Sequence, residues 1–153
     1  MKKIILLLHL LVFSSISHAE VLNFDFFGTD DKGHYNSTTL NQDLQNEYGP
    51  TMKAHAIILL ESNSSDNQYF KAQNDIIDHA PHGTFEALAT IIVVSLTDEA
   101  YQSGYHVSVG TANRLMTADP NDFRVTILSP VGEVIKRSHQ VMQLEELVQN
   151  IHK

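Results

Sequence analysis

From Val21 to Phe27 (VLNFDFF) apolar and polar side chains alternate and then crowd into aromatics, the pattern of a strand. The next stretch, GTDDKGHYNSTT, is rich in Gly, Asp, Asn, Ser and Thr and reads as a loop. Leu40, Leu44 and Tyr48 recur at steps of four, a narrow stripe for a short helix that Gly49-Pro50 stops. Ala56–Leu60 is continuously apolar with β-branched content, as expected of a central strand covered on both faces. A helix follows. Ser65 stands three residues before Gln68, the spacing of a capping box, and Tyr69, Ala72, Ile76 and Ala80 form a stripe that Phe70 and Ile77 widen. Pro81 and Gly83 close it, and Leu88–Leu96 (LATIIVVSL) gives the strongest strand signal in the chain.

Residues 97–110 carry no clear period. Ala112–Ala118 suits a short helix opened by Thr111 and stopped by Asp119-Pro120. Phe123, Val125 and Ile127 then alternate with Arg124, Thr126 and Leu128 as a strand. Ser129-Pro130-Val131-Gly132 fits a type I turn, and Val134–Arg137 returns to complete a hairpin. Leu144, Leu147, Val148 and Ile151 mark a last helix, with Glu145 and Glu146 near its start and His152 and Lys153 at its end, as the helix dipole favours. The predicted order is β-α-β-α-β-α-β-β-α. Buried strands joined through helices imply parallel neighbours, and the hairpin adds an antiparallel edge, so the expected fold is a three-layer α/β sandwich around a mixed sheet.

The N-terminus changes the compartment. Lys2 and Lys3 precede an apolar core from Ile4 to Phe13, and Ser17-His18-Ala19 offers a small-x-small cleavage site. The apolar run is shorter than the ~20 residues that span a bilayer, so residues 1–19 read as a signal peptide cut between Ala19 and Glu20. No cysteine follows to take a lipid, which leaves residues 20–153 as one domain in the periplasm or secreted, with no stable membrane anchor. Export usually invites disulfides, yet the chain has no cysteine and its stability rests on packing. Loss of Lys2 and Lys3 leaves eight basic against 18 acidic side chains, a net charge of −10. Such a surface repels phosphate backbones and argues against nucleic acid as a partner; a cationic envelope protein or a small ligand fits better.

The strand–turn–strand–helix of residues 123–151, FRVTILSPVGEVIKRSHQVMQLEELVQNI, resembles the ending of thioredoxin-like and peroxiredoxin-like domains. More closely, residues 54–153 resemble a family of short exported bacterial proteins, domain of unknown function 4174. The shared features are a strand, a polar loop, a helix with an Ala72-Gln73 step, and an F-x-V-x-L…G-x-V-x-x-R ending. The resemblance implies a thioredoxin-like fold. Redox members of that fold need a thiolate at the helix N-terminus after the second strand, where the helix end lowers its pKa. The matching positions here are Asn63, Ser64, Ser65 and Asp66, so thiol–disulfide chemistry is excluded by composition. Asp122 precedes Phe123, with Pro120 three residues upstream of Phe123, so no cis-proline platform is assigned either.

Other chemistries have plainer readings. Ser64 and Ser65 as nucleophiles would need a nearby base, and no histidine stands in a nucleophile motif; helix capping accounts for Ser65. His79 and His82, close to Asp75 and Asp78, are the best metal candidates, but Pro81 interrupts their helix and no third ligand is spaced to join them. Asp25, Asp30 and Asp31 beside Gly33 miss the spacing of a calcium loop. No cofactor is called for. The expected role is a non-catalytic binding or structural module, with Ser62–Asp66 and the adjoining Asp122 loop as its contact face, since helix N-termini offer N–H donors. Two other classes stay open: a metal-dependent or hydrolytic enzyme using His79, His82 and His106, and a partner of a basic envelope protein.

Overall fold

A computed structural model describes residues 18–99, 101, 103–117 and 121–152. The apolar leader, the Asp119-Pro120 helix stop and Lys153 lie outside them. Seven strands form one sheet: β1 (Asp25–Phe27), β2 (His34–Asn36), β3 (Ala56–Ser62), β4 (Thr90–Leu96), β5 (Tyr105–His106), β6 (Phe123–Leu128) and β7 (Val134–Ser138). Their order is β2-β1-β5-β4-β3-β6-β7. β3 runs parallel to β4, and β4 to β5, while β6 is antiparallel to both β3 and β7. The α-helices are α1 (Leu40–Tyr48), α2 (Gln68–Asp78), α3 (Thr84–Ala87), α4 (Val109–Met116) and α5 (Leu144–Ile151). This is the expected mixed-sheet sandwich.

Alternation along β3 divides the core in two. Ile58 and Leu60 pack with Phe70, Ile77, Leu147 and Ile151 from α2 and α5. Ile57 and Leu59 face the other way, towards Leu40 and Leu44 of α1 and Ala112 of α4. β6 is buried at every position rather than on one face, because it lies inside the sheet between β3 and β7. Arg124 and Thr126, which the alternation leaves as polar, are therefore interior. At Ser129–Gly132 the Gly132 amide donates to the Ser129 carbonyl at 3.0 Å, closing the predicted turn.

Several local expectations give way. The first strand is only Asp25–Phe27, and the Gly/Asp-rich loop contains a 3-10 turn (Thr29–Asp31) and the short strand β2. Three-residue strands leave too little periodicity to detect. The unplaced segment supplies β5, and α4 starts at Val109, capped by the Ser108 hydroxyl, rather than at Thr111. The buried stripe of α2 is Phe70, Gln73 and Ile77; Tyr69 stands 48% exposed. That rotation brings Gln73 against the chain before α5. Its Nε2 donates to the Met142 carbonyl at 2.9 Å, and its Oε1 accepts from the Met142 amide at 2.7 Å.

Residues 20–22 lie along the start of β7 and the turn before it. Val134 donates its amide to the Glu20 carbonyl at 2.8 Å, Leu22 donates to Gly132 at 2.9 Å, and Arg137 holds the Glu20 carboxylate through both terminal nitrogens. At the other side of the sheet, Tyr35 is buried and its hydroxyl donates to the Glu47 carboxylate. Burial first, then that bond, pushes the Tyr35 pKa well above the ordinary tyrosine range; burial raises Tyr105 as well. A raised folded pKa protects stability below the unfolded value and loses it above, because only the unfolded chain then sheds the proton. Urea unfolding should therefore show stability falling once pH passes about 10, by up to ~1.4 kcal/mol per pH unit for each group. Tyr35→Phe should flatten that slope, and an unchanged slope would reject the assignment.

Candidate functional site

β3 ends at Ser62 and the chain turns at once into α2, so the expected contact residues sit at the carboxyl end of the parallel strands. The Asn63 amide donates to the Asp122 carbonyl at 3.0 Å, joining the two loops named from sequence. Ser62 and Phe123 are cross-strand partners directly beneath that bond. The loop is tightly self-bonded. The Ser62 hydroxyl donates to the Ser64 carbonyl at 2.8 Å, and the Asp66 amide donates to the Ser64 hydroxyl at 3.0 Å. Asn63 is tied on its other side by the Thr97 hydroxyl, which donates to its carbonyl at 3.2 Å.

The helix cap differs from the capping-box reading. Asn67, not Ser65, caps α2: its Oδ1 accepts from the Tyr69 amide at 2.9 Å and the Phe70 amide at 3.2 Å. An Asn side chain next to the helix reaches two amides that Ser65, farther out, does not. The consequence is chemical. Most of the N–H donors that would hold an anion are already satisfied inside the loop, and the exposed Asp66 and Asp122 carboxylates add negative charge. Asp66 also pairs with Lys71 at 3.0 Å. The surface is a rigid polar knob, and an anion pocket is a poor description of it.

Beside the knob lies a shallow depression of about 360 Å³, bounded by Asn67, Tyr69, Asp122, Phe123 and His139. Tyr69 stacks on Phe123 with ring centroids 6.0 Å apart, which leaves an exposed aromatic next to the polar loop. Sequence reasoning placed Tyr69 in the core stripe; its neighbour across the sheet end was the missing signal.

Beneath the same end, on the α4 side, Glu61 and Arg124 are cross-strand partners and form a buried bidentate pair, Nε–Oε2 2.6 Å and Nη2–Oε1 2.7 Å. Arg124 also donates to the Leu115 carbonyl at 3.1 Å, holding the last turn of α4. Ser95, paired with Glu61 across the sheet, and Thr126 carry buried hydroxyls without hydrogen bonds among the described residues.

The nucleophile and metal candidates do not assemble. Among the described residues no imidazole hydrogen-bonds Ser62, Ser64 or Ser65. His79 Nδ1 lies 2.8 Å from the Asp75 carbonyl of its own helix, and His82 is exposed on the turn after it. His106 is buried elsewhere, 2.8 Å from Asp31 through Nε2 and 3.0 Å from the Gly104 carbonyl through Nδ1. No group of three or more potential metal ligands gathers among the described residues.

A sheet of this order, with a helix following β3, is a thioredoxin-like fold, here in a chain without cysteine. Solved structures agree on the fold. The reduced 2-Cys peroxiredoxin of Plasmodium vivax matches with a TM-score of 0.58 and 11% identity, covering 88% of this chain and 91% of that one. A conserved Bacteroides fragilis protein of unknown function matches at 0.52 and 11%, over 87% and 98%. The exposed lipoprotein thioredoxin Etrx1 of Streptococcus pneumoniae matches at 0.50 and 14%, over 86% and 98%. At these identities the likeness concerns the fold alone. No family model matches the chain, and no curated protein matches it.

Proposed function

We propose that this protein is an exported, non-catalytic binding module of the bacterial periplasm, related to the domain of unknown function 4174 family, that meets a protein partner through Ser62–Asp66 and Asp122. The observation that carries the reading is the self-bonded turn from Ser62 to Asn67: the position suited to a reactive group holds a preformed polar surface whose Ser62 and Ser64 hydroxyls are spent on backbone. Preformed loops bind without paying an ordering cost at the moment of contact. The stacked Tyr69 beside it supplies the kind of exposed aromatic that anchors interfaces. Export is supported by the leader and by Glu20, which packs on β7 at the point where cleavage would leave the new N-terminus. The net charge of −8, which loss of Lys2 and Lys3 with the leader would take to −10, favours a cationic partner.

The test is an amide map of the labelled protein against fractionated envelope proteins at low and high salt. Shifts at Ser62–Asp66, Tyr69 and Asp122 that fade with salt are expected. Binding that leaves those amides still would remove the proposed face. The enzyme alternative is addressed by elemental analysis of untagged protein, where stoichiometric zinc or copper surviving dialysis would revive it.

A further inference from the structure

A second concavity lies at the opposite end of the sheet, where the parallel strands begin. It has a volume of about 720 Å³, inside the ~300–1,000 Å³ range of small-molecule sites. Its lining comes from the chain before β3, the turn between α2 and α3, and the starts of β4 and β5. The floor is incompletely covered. β4 is apolar enough for burial on both faces, and Val93–Leu96 are buried, yet Thr90, Ile91 and Ile92 remain partly open. Ile91 and Ile92 point to opposite faces of a central strand, so the uncovered patch wraps round its start.

The interior offers few polar partners. The Thr84 hydroxyl donates to the Pro81 carbonyl at 2.6 Å, and the Thr90 hydroxyl donates to the Leu88 carbonyl at 3.2 Å. The Tyr105 hydroxyl makes no hydrogen bond among the described residues, although its ring is fixed against Phe26 and Tyr35. Lys53 against Asp78 and Glu86 leaves the cavity lining with an excess of negative charge, which disfavours an anionic ligand, and the mainly apolar floor makes burying any charge costly. The walls are held in place: Asn41 accepts from the Ala54 amide at 2.7 Å and donates to its carbonyl at 3.2 Å, while the His55 amide donates to the Ala89 carbonyl at 2.8 Å. We infer that this cavity binds a small, uncharged, mainly apolar molecule with one hydrogen-bonding group that meets Tyr105. The site is separate from the Ser62–Asp66 face and does not depend on it.

The test is a fluorescence titration with N-phenyl-1-naphthylamine, and with anilinonaphthalene sulfonate as the charged control. Saturable one-site binding is expected, at least tenfold weaker for the sulfonate, with methyl shifts at Ile91, Ile92 and Ile77 and none at Ile127. Ala80→Phe, which fills the cavity, should weaken binding at least tenfold; should that variant misfold, Tyr105→Phe keeps the ring and should weaken it severalfold. Absence of saturable binding, equal binding of the sulfonate, or shifts confined to other methyls would overturn the site. So would a dimer in sedimentation that buries Ile91 and Ile92, since a second copy would then be what covers them.

Discussion

Glu61→Ala should lower unfolding free energy by about 3–5 kcal/mol, because it takes from the buried Arg124 guanidinium the carboxylate that accepts two of its hydrogen bonds. For a domain of this size that is a fall in Tm on the order of 10 °C, readable by calorimetry. The cost comes from removing the carboxylate opposite a buried cation, since taking both ions out of water already cancels much of their attraction. Replacing the pair together, Glu61→Leu with Arg124→Met, should therefore recover most of the loss. The double variant should also loosen the end of α4, whose Leu115 carbonyl loses its donor, and faster amide exchange there would report it. A double variant no more stable than Glu61→Ala would show that the ion pair itself carries the stability.

Gln73→Leu should cost about 2–4 kcal/mol, the second largest effect. Leucine fills the same buried volume but abandons both backbone groups of Met142, each of which costs about 1–3 kcal/mol when left unpaired. Gln73→Glu keeps an acceptor for the Met142 amide but turns the other oxygen against the Met142 carbonyl, so it should be no better than leucine at neutral pH. Urea midpoints of the two variants decide the point; a loss below about 1 kcal/mol in both would mean that the chain before α5 re-pairs on its own.

Long apolar runs declared themselves in the sequence. Ala56–Leu60, Leu88–Leu96 and the 123–151 ending are strong because a central strand must be apolar on both faces and a docking helix must carry a stripe. The polar members of the interior did not. Nothing along the chain marks Arg124 as buried, because its partner Glu61 is remote in sequence and only strand register sets them side by side. Gln73 belonged to the Ala72-Gln73 step carried by the family resemblance, yet its reason for being there, the backbone of Met142, appears only once α2 and the chain before α5 are packed. The loop proposed as a contact face was legible as a place, the end of β3 and the start of α2. Its chemistry was not, since the sequence suggested open amide donors and the Asn67 side chain closes them.

The segment Glu20–Leu22 lies against β7, the strand at one margin of the sheet. Strand margins with free amides and carbonyls recruit other chains into intermolecular pairing, and this short segment occupies part of that margin. A shortened chain beginning after Leu22 would uncover it and lean towards self-association, so Glu20–Leu22 double as a guard against aggregation.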